Sequence, residues 1–519
     1  MFMNAIKNEL NNEKQITENG AVGYRTTGKK LLDLNFSVAS LRGASEQEII
    51  NKFMDAYWEN PTVAIKWLFY ARDCREGLGE RRLFRIIIKH LASDKPEVAS
   101  AVLKFVSEYG RYDDMWCLLD TDLRSNVVSG IAEQLAADKH GMENHQSISL
   151  LGKWMPSENA SSMDTKRHAT IIRKGLGMTS RNYRRMLSKM RKYIQVVECK
   201  MSAKEWSEIN YEAVPSRANL IYNNAFLRND EDRRRAYLGA LERGEAKINA
   251  GTLFPHDIVH KYMSGGVWSQ RVGAYDATLE GLWKALPDTV KGNGNTLVVA
   301  DGSGSMTCNV GGNTSVTALD VANALAIYFA ERASGEFKDK YITFSESPQF
   351  VDFNGAKSLR DKIGIALRHD EVANTNIEAV FNLILMTAVN NHMSQEDIPT
   401  NILIVSDMEF DSCASTNSTR SNGWGSSRRA PTATLFETIA KKYAAHGYKL
   451  PRLVFWNVNS RTGTIPVKQN ELGVALVSGF SVNIVNMVMS GKLDPYECLL
   501  DVLNTERYQP IEDAVKEVC

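Results

Sequence analysis

Between Asn295 and Met306 the chain reads Asn-Thr-Leu-Val-Val-Ala-Asp-Gly-Ser-Gly-Ser-Met, so Asp301, Ser303 and Ser305 stand at alternate positions. One carboxylate and two hydroxyls, with no Cys or His among them, form a hard oxygen donor set suited to Mg²⁺ or Mn²⁺. To meet at one ion they must be aimed together, and the flanking elements have to supply that aim. Thr296 to Ala300 is a short β-branched apolar run, read as a buried strand that stops at Asp301. Gly302 and Gly304 are expected to let the loop turn sharply. Beyond it, Val316, Leu319, Val321, Ala322, Leu325, Ala326 and Phe329 recur near helical spacing. A purely structural use of the same residues is an N-cap at Asp301 and hydroxyls that satisfy loop backbone groups.

The Asp-x-Ser-x-Ser pattern resembles the metal-ion-dependent adhesion site of von Willebrand factor A domains. Those domains also carry a Thr on a second loop that opens a helix and an Asp after a third strand. Ala373-Asn374-Thr375-Asn376-Ile377 supplies Thr375, and Asn401-Ile402-Leu403-Ile404-Val405-Ser406-Asp407 supplies Asp407. The resemblance therefore implies a metal set of Asp301, Ser303, Ser305, Thr375 and Asp407 on three loops at the carboxyl ends of strands. Open α/β sheets bind ligands there. Strands are expected at Thr296–Ala300, Lys340–Phe344, Ile402–Ser406, Arg452–Asn457 and Gly473–Val477. Helices are expected at Ser315–Ser334, Leu359–Leu367, Ile377–Asn391, Thr432–Gly447 and Ile484–Ser490. A polar insert, Ser412 to Pro431, leaves the sheet just after Asp407, where it can contact a ligand.

At 519 residues the chain exceeds one ordinary domain. It is 43% hydrophobic and 24% charged with a net charge of +1, so the total charge points to no class of partner. Its seven Cys are scattered without a Cys-x-x-Cys pair, which argues against a disulfide framework or a structural zinc and for a reducing, cytoplasmic setting. The polar start, Met1 to Lys14, lacks the apolar core of a signal peptide, and no apolar run reaches membrane-spanning length.

Residues 1–40 read as a polar, loosely ordered arm that docks near Phe36, residues 41–290 as a helical domain, 291–490 as the α/β domain and 491–519 as a tail with a helix around Tyr496 to Leu503. Helices of ordinary length joined by short Gly, Pro and Asp turns read as an α-solenoid of HEAT type. Its most one-sided segment holds Lys166, Arg167, Arg173, Lys174, Arg181, Arg184, Arg185, Lys189, Arg191, Lys192 and Lys200 against the single acid Glu198. That is a local footprint for a polyanion, with Tyr183 and Tyr193 interleaved where they can stack on bases. The bland alternative is a solvated helix face paired with acids elsewhere. His256 and His260 share a helical face, but Asp257 replaces the Glu of the zinc-protease pattern, and a helix start after Pro255 accounts for the segment better. Ser202 and Glu205 fit a capping box, and Trp206, Ile209 and Tyr211 read as core.

A helical N-terminal half followed by a von Willebrand A domain resembles the Ro autoantigen, or TROVE-module, architecture, and more closely a related family with members in plants and bacterial viruses. The resemblance covers most of the chain. It rests on Thr17-Glu18-Asn19-Gly20-Ala21, Gly110-Arg111-Tyr112-Asp113-Asp114, Lys153-Trp154-Met155-Pro156-Ser157, Tyr183-Arg184-Arg185, Trp206-Ser207-Glu208-Ile209, Val214-Pro215-Ser216, Pro255-His256-Asp257-Ile258 and the Asp301 loop. In Ro proteins the helical repeats form a ring that binds structured non-coding RNA outside and single-stranded ends through its hole. The resemblance thus implies a non-enzymatic RNA-binding protein with a divalent cation. The rival is a Mg²⁺-dependent adaptor or assembly factor without RNA, whose ion takes a carboxylate from a protein partner. A hydrolase fits less well, because no nucleophile has a base positioned beside it in the sequence.

Overall fold

The computed structural model describes residues 14–264, 271–290, 295–311, 314–371, 374–411, 435–466, 474–484 and 494–519. The expected insert Ser412 to Pro431 and most of the expected helix Ile484–Ser490 lie outside them. Two compact units interleave in sequence: the described residues of Met1–Ser45 with Leu253–Val502, and those of Glu46–Thr252 with Leu503–Cys519. The first is an α/β unit and the second is helical. Among the described residues no helix is long and apolar enough to cross a membrane.

In the helical unit, Glu46–Glu59, Pro61–Arg72 and Arg81–Asp94 form helices packed on one another. Asn60 caps the second by accepting from the Val63 N–H, with Pro61 at the first helical position, where its missing N–H costs nothing. Leu83, Phe84, Ile87, Ile88 and Leu91 make the buried stripe of the third. Tyr112–Asp120 is a 3₁₀ segment. Its Asp114 is drawn inward by Arg72 and Arg85, at 2.6 and 2.7 Å. At the chain's end, Arg507 and the Tyr508 hydroxyl both reach the fully buried Asp73 carboxylate. Ile209 and Tyr211 are core as expected, with Trp206 packed against them. Ser202 does not form a capping box. It ends a helix, Val197–Ser202, its hydroxyl donates to Glu198 O at 2.8 Å, and Lys204 at φ 59° turns the chain away.

The α/β unit contains strands β1 Lys14–Ile16, β2 Val22–Tyr24, β3 Met263–Ser264, β4 Arg271–Val272, β5 Thr296–Asp301, β6 Lys340–Phe344, β7 Gln349–Asp352, β8 Asn401–Ser406, β9 Arg452–Asn457 and β10 Val474–Ser478. Six of these form a mixed sheet in the order β10-β9-β8-β5-β6-β7, parallel except for the β6/β7 pair. Central strands are buried along nearly their whole length, which their unbroken Val, Ile and Leu runs require of a sheet covered on both faces. Strand order reverses between β5 and β8, so a crevice opens at their carboxyl ends, where Asp301 and Asp407 stand. The following helix, Ala318–Arg332, starts later than its apolar pattern because Thr317 and Asp320 cap each other's backbone N–H groups.

Of the expected loose arm, the described residues 14–40 form built elements. β1 and β2 pair antiparallel, and Tyr24 exchanges backbone hydrogen bonds of 2.7 and 2.8 Å with Ile465. Gly23 is required there, since a Cβ would lie 2.4 Å from Thr464 and 2.6 Å from Ile465 O.

Candidate functional site

The Asp301 loop converges as its spacing implies. Asp301 Oδ1 accepts from the Ser303 N–H at 2.9 Å, and its Oδ2 accepts from the Ser406 hydroxyl at 2.5 Å. Ser303 Oγ and Ser305 Oγ are 3.0 Å apart. Asp301, Ser303, Thr375 and Asp407 are all buried. Gly302 does not sit in the left-handed region expected of a sharp turn. It is needed for closeness: its N–H donates to Phe344 O at 2.8 Å, and a Cβ would meet Thr343 Oγ1 at 3.0 Å.

Asp407 is held by the Glu409 N–H, which donates to Oδ1 at 3.2 Å, and Ser305 lies against the same carboxylate. Its Oδ2 is buried and completes no hydrogen bond; the guanidinium of Arg461 stops 3.8 Å away. Thr375 is joined to the Asp407 loop by its backbone, which bonds Asp411, and to the turn between β1 and β2 by its hydroxyl, which accepts from Asn19 Nδ2 at 3.1 Å. Glu409 is also fully buried, yet it is satisfied. It accepts from the backbone N–H groups of Glu18, Arg461 and Thr462 at 2.9, 3.0 and 2.9 Å, and from the Thr462 hydroxyl. One buried carboxylate thus stitches three loops together, while the other keeps an oxygen unused.

Burial pushes the Asp301 carboxyl above the usual range, against the hydrogen bonds from Ser303 and Ser406 that favour its charge. Burial, then the charge of Asp301, pushes Asp407 up as well. Asp370, beside Gly302 and bonded by Asn323 Nδ2 at 2.8 Å, is raised to about 7 by burial. Two buried carboxylates that repel each other, three hydroxyls and one unpartnered carboxylate oxygen fit a hard divalent cation. Among the described residues no group of three His, Cys, Asp or Glu could hold a metal, so an ion here depends on the hydroxyls.

The basic segment divides in two. Arg167 pairs with Asp120, Arg173 with Glu158 at 2.8 Å, and Arg191 donates to Gly152 O, Met155 O and Ser157 Oγ at 2.8–3.0 Å. Those three are engaged within the chain, Arg191 by partly buried bonds and Arg167 by an exposed pair. Tyr183 is not available for stacking: it is buried, and its hydroxyl donates to Pro156 O at 2.8 Å. Tyr193 is partly exposed and bonds Gln146 O. Arg181, Arg184, Arg185, Lys189 and Lys192 line the exposed face of the helix Ser180–Tyr193, opposite buried Tyr183, Leu187 and Met190, and none pairs with an acid among the described residues. Lys174 is exposed on the preceding helix, and Lys166 is half-buried. A nearby cleft mixes Asp120 and Asp122 with Arg124, Arg167 and Lys174 and so presents no single sign of charge.

His256 and His260 do not share a metal. His256 is buried against Phe254 and Phe480, which drives its pKa down to about 4. His260 bonds Asp320 Oδ2 and Ser315 Oγ, each at 2.9 Å. Sequence reasoning missed Asn19, Ser406, Glu409 and Arg461. Asn19 lay within the Thr17–Ala21 block, but only the fold brings it to Thr375.

Residues 17–112 and 174–296 match a domain of unknown function, DUF2828, and residues 295–515 match a second, DUF7788. An uncharacterized protein of Acanthamoeba polyphaga mimivirus is 28% identical over 544 residues, spanning 95% of this chain and 88% of that protein. The DUF7788 match takes in the whole six-stranded sheet and all five residues of the candidate site. By these matches the chain is similar to DUF2828 in its N-terminal part and to DUF7788 in its C-terminal part.

Proposed function

We propose that this chain is a non-enzymatic binding protein whose α/β unit takes up Mg²⁺ or Mn²⁺ on Asp301, Ser303, Ser305, Thr375 and Asp407 and offers the ion to an acidic side chain of a protein partner. The observation that carries this reading is the buried Asp407 Oδ2 without a hydrogen bond, beside a second buried carboxylate and paired serine hydroxyls. Such an arrangement is costly unless a cation completes it. When bound, the ion supplies a compact positive charge that a carboxylate can ligate. On this reading the α/β unit is a von Willebrand factor A-like domain, which the strand order and the site's place at its reversal support. Calorimetric titration with Mn²⁺ tests it: wild type should bind, Asp301→Ala should not, and equal affinity in both would overturn the reading.

A second reading has its own observation. The unpaired stripe Arg181, Arg184, Arg185, Lys189 and Lys192 supports RNA binding by the helical unit, in the manner of Ro-type, HEAT-like TROVE modules. Binding of a short unstructured RNA should survive EDTA and weaken steeply with salt. Failure to bind any RNA at about 50 mM salt, where electrostatic binding is strong, would leave the cation-dependent contact alone.

A further inference from the structure

The turn between β1 and β2 lies over the candidate site, held there by hydrogen bonds and one ion pair. Several of the hydrogen bonds tie side chain to backbone or backbone to backbone. Thr17 Oγ1 donates to Phe410 O at 2.7 Å, Asn19 Nδ2 to Glu409 O at 2.6 Å, and a β-bridge pairs Gly20 with Asp411. The ion pair is made by Glu18. The Glu18 carboxylate, 55% exposed, sits 2.6 Å from Arg461 Nη2. That same nitrogen is 3.8 Å from the unpartnered Asp407 Oδ2. Arg461 is anchored at its base, since its backbone N–H donates to buried Glu409. One guanidinium therefore stands between an exposed carboxylate of the chain and the buried carboxylate of the cation site.

We infer that Arg461 is a second anchor for the partner's carboxylate at this face, and that Glu18 is its resident occupant, displaced when an acidic partner binds. The inference rests on the cation reading above. A carboxylate arriving at the ion comes within reach of Arg461, whose planar fork has further N–H donors to give. Glu18 can leave without disturbing the turn, because the turn's backbone is held by Thr17, Asn19 and Gly20 and not by the Glu18 side chain. Its hold is also weak: an exposed ion pair is worth at most about a factor of five in an equilibrium. Glu18 thus lowers the affinity of a competing carboxylate by at most about that factor.

The test uses the full chain with two separate titrations: Mn²⁺ alone, then a blocked Gly-Glu-Gly peptide in saturating Mn²⁺. Glu18→Gln keeps the side chain's shape, and its Mn²⁺ affinity should stay that of wild type. Its peptide affinity should rise about fivefold, the worth of the displaced pair. Arg461→Gln should erase that gain when added to Glu18→Gln. Hydrogen exchange at Thr17–Ala21 should show the turn still formed in Glu18→Gln. Normal Mn²⁺ binding with no gain in peptide affinity would overturn the inference while leaving the cation reading intact. A gain that persists without Arg461 would overturn it too. No Mn²⁺ binding by wild type would bring down the cation reading, and this inference with it.

Discussion

Asp407→Asn should make the metal-free protein more stable and, in the same protein, abolish stabilisation by Mg²⁺. Asp301 and Asp407 are buried together, and burial and mutual charge raise both above the ordinary carboxyl value. A carboxyl raised in the folded state contributes stability that is in place below its unfolded pKa and is lost as pH rises through the folded one. At about pH 8 both are ionised, and burial and mutual repulsion then oppose the folded state. Asparagine removes one charge and keeps the Oδ1 that accepts from the Glu409 N–H. Its new Nδ2 takes the place of Oδ2, the oxygen that completes no hydrogen bond. Removing one of two buried, mutually repelling charges should give a gain on the order of 2 kcal/mol, or about 4 °C in the melting of a unit this size. Mg²⁺ at a hundredfold excess over its Kd should lift wild type by about 2.7 kcal/mol and the variant not at all. Differential scanning calorimetry in EDTA and in Mg²⁺ should therefore reverse the order of the two proteins. A variant less stable than wild type in EDTA, or one still lifted by Mg²⁺, would refute the reasoning.

Other outcomes follow from the same structure. Mn²⁺ affinity should rise with pH between about 5 and 8, because protons compete for carboxylates whose pKa values are raised; a flat calorimetric profile would count against them as ligands. Replacing Arg184, Arg185, Lys189 and Lys192 with Glu should flatten the salt dependence of RNA binding by roughly 0.7 per lost phosphate contact while the circular dichroism stays unchanged. Tyr183→Phe should cost about 1 kcal/mol through the lost bond to Pro156 O and leave RNA affinity alone, as read by urea unfolding and fluorescence anisotropy. Asp73→Ala strands Arg507 and the Tyr508 hydroxyl and should destabilise the helical unit by about 3 kcal/mol in the same urea assay.

What could be read from the sequence was what is local. β6 and β9 begin and end at the expected residues, and β5 and β8 each extend one residue beyond the expected strand. The Asp301 loop was visible because its residues alternate over five positions. β7 was hidden because Phe350 points outward at 59% exposure while Val351 points inward, which blurs the period of two. The β1/β2 hairpin has strands of only three residues, too short to show a period, and its partners Phe410 and Ile465 lie almost four hundred residues or more away. Net charge marked the basic segment, but which cations are free depends on Asp120, Glu158 and carbonyls outside it. The burial of Tyr183 was legible, since Leu187 and Met190 follow it at the spacing of one helical face.

The most direct test of the cation site is a crystal grown or soaked in Mn²⁺ and measured at a wavelength where manganese scatters anomalously. A peak bonded to Ser303 Oγ and Ser305 Oγ at roughly 2.1–2.2 Å, with Asp301, Thr375 and Asp407 around it, is the expected result. A fully formed loop with no peak there, or manganese bound only elsewhere on the chain, would contradict it.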